Sequence, residues 1–439
     1  MKKFKIAAAA LTVVFLGGCS FGSSIDNLMT PPKLSVQQEQ IYSALTDAVG
    51  TSISLKYPKS GSYLSAFIVE DIDNDGGSEA VVFYEKKGLT IEENTLRINI
   101  LDQFDGKWRS VCDTPADGSE IEKVIISKLG SNERTNVIIG SSLMNRSEKS
   151  VSVYNYGNGS IEKTLSLSYS FIDVTDLDMD NENEFLLLAG QSSGAPAIAE
   201  SYKLDENGKY HKYSLELSGS FSEFDNITYG NISGDRRGLY IDAVAATGSV
   251  QTDIIYMDEN GLKKVFDTAE KSLSTVRPSG CRSYDIDSDG IPEIPVQTIA
   301  PGYEELSESE QLKLTSWLYA NADNELVRKY SSYYSVTDGY IFIFPEKWLN
   351  RVTVRRDSVN DELVLCAYNN GEIGRELFRI YCAQDSASRE DRLSDGYLLL
   401  HDKGEATYLG RVPNNGSAEY DDGLDITAGD AAVCFRFPE

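Results

Sequence analysis

The sequence predicts a mainly β protein: a β-propeller of about five recognisable blades, open to more, with an N-terminal helix and a small C-terminal β-rich or α+β domain. Three observations carry that reading. An acidic nonapeptide is written three times, as DIDNDGGSE from 71, DLDMDNENE from 176 and DIDSDGIPE from 285. A β-branched or aromatic run and then a hairpin signal follow each copy. The spacing is regular: the three starts lie 105 and 109 residues apart, and weaker copies stand between them, KLGSNERTN from 128 and NISGDRRGL from 231. The five starts step by 57, 48, 55 and 54 residues, which marks a structural repeat of roughly 54 residues.

The chain opens with MKKFKIAAAALTVVFLGGCS, in which Lys2, Lys3 and Lys5 precede an apolar run from Ile6 to Leu16 and small residues before Cys19. That order of charges and apolar residues is the pattern of a signal peptide. The LGGC ending resembles the lipobox of bacterial lipoproteins, and the resemblance implies lipidation at Cys19 after removal of the residues before it. The run is too short to span a bilayer. Residues 1–19 are therefore read as a lipoprotein signal and 20–34 as a linker. The rest is expected to be lipid-anchored on the extracytoplasmic face of the cell membrane.

Residues 35–62 form the next unit. After Pro31 and Pro32, the stretch SVQQEQIYSALTDAV places Val36, Ile41, Leu45, Ala48 and Val49 on one helical face. The spacing predicts a helix packed on the repeats.

The repeats occupy 63–336. In each, a short β-rich run (SAFIVE, SFIDVT, CRSY) enters the acidic stretch, and AVVFYE, FLLLAG or IPVQTI leaves it. Alternating segments with FDG, NYGNG and DENG turns then read as outer hairpins, for example LRINILDQFDGKW and TDIIYMDENGLKKV. Four short strands in 50-odd residues make one propeller blade, whose faces are buried by its neighbours. TSWLYANADNELVRKYSSYYS supplies the outer hairpin of the fifth. From 338 to 439, YIFIFPEKW, RVTVRRD, ELVLCAY, ELFRIYCA, GYLLLHD and ATYLGRV read as closely spaced strands of a separate small domain, ending in a strand or short helix.

The acidic stretches carry the chemistry. Asp71, Asp73, Asp75 and Glu79, Asp176, Asp178, Asp180 and Glu184, and Asp285, Asp287, Asp289 and Glu293 stand at the first, third, fifth and ninth positions of the three strong copies. Carboxylates crowded into one turn repel each other unless a cation sits among them, and side-chain oxygens plus a backbone carbonyl suit Ca²⁺ better than Mg²⁺. Gly76 and Gly290 allow a sharp bend at the sixth position, where Asn181 tolerates the left-handed conformation. An EF-hand is excluded, because Val82, Leu187 and Val296 hold the twelfth positions where that loop needs glutamate. The copies at 128 and 231 have lost most of their acids and are expected to be held by hydrogen bonds without metal.

D-x-D-x-D-G-x-x-E followed by a hydrophobic strand resembles the FG-GAP/VCBS repeat of calcium-binding β-propellers in extracellular proteins. The likeness covers about 270 of the 439 residues. It implies structural Ca²⁺ held by the twelve acids named above.

Composition limits the function. The formal net charge is −27 (41 basic against 68 acidic residues), which argues against nucleic acid as a partner. Beyond Cys19, five cysteines remain (Cys112, Cys281, Cys366, Cys382, Cys434) with no metal-binding spacing, so at least one thiol stays free. Neither histidine, His211 nor His401, lies in a motif. GQSSG at 190–194 formally matches a nucleophile elbow, but no helix follows it, so Ser192 is not assigned catalysis. The expectation is a membrane-tethered lipoprotein whose calcium-stabilised propeller binds or scaffolds an envelope protein or glycan, without catalytic residues. The alternative is an envelope-associated enzyme, or an accessory to one, acting on glycans or peptidoglycan.

Overall fold

The computed structural model describes residues 34–438 apart from 89–95, 144–147, 193, 234–235, 246–247 and 414–421. The leader, Cys19 and nearly all of the linker thus lie outside the described residues, as does Asp235 of the fourth repeat.

Among the described residues six antiparallel sheets follow one another along the chain. The second, third and fourth are four-stranded meanders: Glu120–Lys128 to Ser160–Tyr169, Phe171–Thr175 to Tyr210–Glu216, and Phe221–Asn231 to Gly261–Lys264. In the first sheet the opening position is shared by two short strands, Ile53–Leu55 and Phe67–Glu70. They pair with the two halves of Glu79–Lys86. Leu96–Phe104 and Lys107–Pro115 then form the expected hairpin, turning at Asp105 and Gly106 with φ of 52° and 72°. Two successive positive φ values match a two-residue hairpin turn that twists with its strands.

Each sheet is packed on both faces. In the first, Val81 and Phe83 meet Val137, Ile139 and Tyr154 of the second sheet. Ala80, Val82 and Tyr84 point the other way, to Ile41 and Leu45 of the N-terminal helix Val36–Val49. This two-sided burial explains why the second strands read as unbroken apolar runs rather than as alternations. Val36, 74% exposed, and Ala48 depart from the expected apolar face, because helix–sheet packing centres on Ile41 and Leu45. The same stacking continues through the second and third sheets, the third and fourth, and the fourth and fifth. The result is a β-propeller-type row of blades with an N-terminal helix.

Two details differ from expectation. The opening strand of the fifth blade, CRSY, is reduced to a single bridge between Tyr284 and Glu293. The boundary expected near 337 falls inside the fifth sheet. Tyr340–Ile343 pairs with Leu326–Ser335, and the C-terminal Phe435–Arg436 pairs in turn with Tyr340–Ile343. Tyr340, Phe342 and Trp348 share one core with Val354, Leu365 and Phe378 of the sixth sheet, so this segment continues the stack. The β-rich C-terminal region is therefore itself blade-like, with the order Val352–Asp357, Glu362–Asn369, Glu372–Ala383, Ala406–Arg411, Leu398–Lys403. A helix, Ser386–Ser394, precedes its edge strand and breaks the meander, which hides the repeat in the sequence.

Candidate metal centres

All five repeat loops join the first to the second strand position of a sheet, so the three acidic stretches are equivalent. Their backbones match. The fourth position is left-handed in each (Asn74, Met179 and Ser288, all at φ 62°), and so is the sixth (Gly76 at 89°, Asn181 at 69°, Gly290 at 87°). The bend at the sixth position was legible in the sequence; the one at the fourth was not, because Met and Ser do not advertise it.

Hydrogen bonds repeat as well. The sixth-position N–H donates to the first aspartate: Gly76 to Asp71 Oδ2 at 3.1 Å, Asn181 to Asp176 Oδ2 at 2.9 Å, Gly290 to Asp285 Oδ2 at 2.6 Å. The second-position N–H donates to the ninth-position glutamate: Ile72 to Glu79 Oε2 at 2.8 Å, Leu177 to Glu184 Oε2 at 2.7 Å, Ile286 to Glu293 Oε2 at 3.0 Å. The side chains of Ile72, Leu177 and Ile286 are buried and pin each loop to its blade. Folding thereby draws the glutamate into the interior, leaving Glu79, Glu184 and Glu293 at most 1% exposed.

The acids converge as ligands would. One oxygen each from Asp71, Asp73 and Glu79 lie within 4.8 Å of one another; so do those of Asp176, Asp178, Asp180 and Glu184, and those of Asp285, Asp287 and Asp289. Asp75 and Glu293 fall outside these tightest sets. Burial pushes Glu79, Glu184 and Glu293 each up to about 7. For Glu79, Asp73, Asp102 and Asp75 add to the shift. Asp71 Oδ1 is buried without a hydrogen-bond partner.

The loops differ in what faces them. Lys203 places its ammonium 3.1 Å from Asp178, 2.5 Å from Asp180 and 2.9 Å from Glu184. Lys329 lies 2.7 Å from Asp287, 2.6 Å from Asp289 and 2.8 Å from Glu293. Among the described residues no ion pair reaches Asp71, Asp73, Asp75 or Glu79. The strand register gives the reason for one of the two. Phe185 pairs with Tyr202 and Ala80 with Leu101, so Lys203 stands across from Glu184 where Asp102 stands across from Glu79. The third-position carboxyls respond unevenly: Asp178 stays raised, its burial outweighing the bonds from Lys203. Asp73 is shifted up by burial together with Asp75, Asp71 and Asp102. At the same position Asp287 is shifted down, because hydrogen bonds from Lys329 and Tyr330 outweigh its burial.

The two weak copies are held by hydrogen bonds. Asn132 accepts from the Arg134 N–H and donates to the Asp205 carbonyl. The Arg236 carbonyl accepts from the Ile232 N–H, and its side chain reaches Asn324. Neighbouring loops also touch: Asn74 donates to the Glu133 carbonyl, the Gly130 N–H to the Asn183 carbonyl, Arg237 to the Asp176 carbonyl, and the Asn231 N–H to the Gly290 carbonyl. The five loops thus form one connected rim.

The sixth sheet holds a residue that the sequence reading missed. Glu362 opens its second strand, as Glu79 does in the first, and is fully buried. Arg379 lies 2.6 Å and Arg392 2.8 Å from its carboxylate, and Tyr397 donates a further hydrogen bond. Its turn, DSVND, lacks the D-x-D-x-D spacing, so no motif marked it.

The remaining candidates stay apart. His211 pairs with Asp205 in an exposed hairpin at 3.1 Å, and His401 packs tilted against Phe437. Cys112, Cys281, Cys366, Cys382 and Cys434 are all free thiols. Among the described residues, no helix is long and apolar enough to cross a membrane.

No family model and no curated protein matches the chain. Several solved structures resemble it at low identity. A functionally unknown protein from Desulfotomaculum acetoxidans is 11% identical, with 71% of this chain and 84% of that one covered and a TM-score of 0.29. A rhamnogalacturonan lyase from Bacillus licheniformis is 12% identical over 76% of this chain and 63% of its own, TM-score 0.28. A 6-phosphogluconolactonase, described as putative, from Bacteroides uniformis is 12% identical over 70% and 82%, TM-score 0.26. At these scores the matches attach neither an activity nor a substrate to this chain.

Proposed function

We propose that this protein is a lipid-anchored extracytoplasmic binding or scaffolding protein, whose FG-GAP/VCBS-type blades are stabilised by calcium. The observation that carries the calcium reading is the 71–79 loop. It gathers Asp71, Asp73 and Glu79 within ligand distance, buries Glu79, and leaves one oxygen of Asp71 buried without a partner. A hard divalent cation with oxygen ligands answers all three features. The ion is structural on this reading, because the loop lies inside a blade and its neighbours lean on it. The acids of the 176–184 and 285–293 loops are the same ligand types in the same backbone.

The anchor rests on the basic start, the apolar run and the LGGC sequence ending at Cys19. Binding rather than catalysis is supported by where the residues sit. The clustered acids line strand-linking loops, and the two histidines are spent on a hairpin aspartate and a phenylalanine. The partner is an envelope protein or glycan.

Two experiments test the reading. Cys19→Ala is expected to release the protein from membranes or block its processing; unchanged attachment and processing would remove the anchor. Capture of partners from intact envelopes by the soluble 20–439 protein should depend on calcium. Capture of nothing, with or without calcium, speaks against a binding role.

A further inference from the structure

Every buried glutamate that opens the second strand of an acidic loop or of the sixth sheet meets a cationic side chain, with one exception. Glu184 has Lys203, Glu293 has Lys329, and Glu362 has Arg379 and Arg392. Among the described residues Glu79 has none, and it faces Asp102 instead. We propose that Lys203 and Lys329 are the resident cations of the 176–184 and 285–293 loops, so that the 71–79 loop alone draws a divalent ion from solution.

The argument is geometric. An ammonium within 3.1 Å of three carboxylates occupies the point to which those oxygens converge. A divalent ion needs the same point, because its ligands must approach within about 2.3–2.6 Å. Ion and ammonium would sit in mutual contact, so binding requires the lysine to leave. Its departure exposes a long side chain that is otherwise mostly covered, 15% exposed for Lys203 and 20% for Lys329. Among the described residues the 71–79 loop has no such competitor for the ion. It presents Asp102 as a further negative charge and the unpartnered Asp71 Oδ1. The loop also borders an open cavity of about 430 Å³ lined by Asp73, Asp75, Arg134 and Tyr156, so it is reached from solvent.

This inference rests on the calcium reading above, and one titration separates the two. Metal-stripped full-length protein is titrated calorimetrically with calcium chloride. Wild type is expected to bind one equivalent, and Asp73→Asn none. Lys203→Met and Lys329→Met are each expected to bind two, while Lys203→Arg, which keeps the charge, stays at one. If a methionine variant is too unstable to titrate without metal, its melting temperature in chelator is expected to fall and to recover when calcium is added. Three equivalents in wild type would overturn the inference and leave the calcium reading standing. One equivalent in wild type with no gain or calcium rescue in either methionine variant would also overturn it. No binding in any form at millimolar calcium would overturn both.

Discussion

The loop at 71–79 and the turn before Glu362 bury a carboxylate at the same point of a blade and surround it with opposite charges. Glu362 is enclosed by two arginines and a tyrosine supplied by its own sheet and the helix beside it. Glu79 is just as buried, yet its one hydrogen bond comes from the Ile72 N–H, and its charged neighbours are all acidic. A buried charge is costly unless paired. The sixth sheet meets that requirement within the chain, whereas in the first no described side chain supplies a cation. The third and fifth blades stand between, each with one lysine among its acids.

The largest expected effect lies on the built-in side. Arg379→Ala removes a guanidinium that also binds Asp357 and Glu376, leaving Glu362 with Arg392 alone among its cations. Breaking such a buried pair should cost about 3 kcal/mol, equally with and without calcium, by urea unfolding. A loss confined to chelator-treated protein would erase the contrast between the two regions.

Calcium is next. A single site at a hundredfold excess over Kd stabilises by about 2.7 kcal/mol. Chelator should lower the melting temperature of wild type and of Arg379→Ala, but not that of Asp73→Ala. An Asp73→Ala protein that still responds to chelator would place the ion elsewhere.

Acidity gives a smaller effect of distinct sign. Without metal the folded protein holds the Glu79 proton more tightly, with a pKa raised to about 7 against about 4.5 when unfolded. Between those values the folded state binds more protons, so stability falls as pH rises from about 5 to about 7.5, by ~2 kcal/mol. Asp73→Ala should flatten part of this slope, and saturating calcium should reverse it, since protons then compete with the ion. A metal-free protein that gains stability on going from pH 5 to 7.5 would contradict the assignment.

The smallest effect is a control. Ser35 caps the N-terminal helix, accepting from the Gln38 N–H in a reciprocal capping box. Ser35→Ala should cost about 1 kcal/mol whatever the calcium concentration. A calcium-dependent loss there would mean that the loop and the helix, which share one blade, are coupled.

Much of this was legible in the sequence because it is local. The loop conformation depends on residues within nine positions: Asp71, Gly76 and Glu79 bond within their own segment. Hairpin turns such as Asp105–Gly106 are equally short-range, and two-sided burial left its mark in runs such as AVVFY. The sixth sheet was not legible, since the helix Ser386–Ser394 interrupts its meander and the turn before Glu362 lacks the D-x-D-x-D spacing.

By itself, then, the sequence determined the mainly β class, the repeat near 54 residues and the three acidic loops with their bends. Only the tertiary structure decided which loops have a cation of their own. Lys203 and Lys329 stand 19 and 36 residues beyond Glu184 and Glu293 in the chain, and only folding brings them to within 3 Å. It also decided that Phe435–Arg436 completes the fifth blade rather than a separate domain. Spacing along a chain fixes what neighbours in sequence can do, but charge neutralisation in an interior is settled by whatever folding brings alongside.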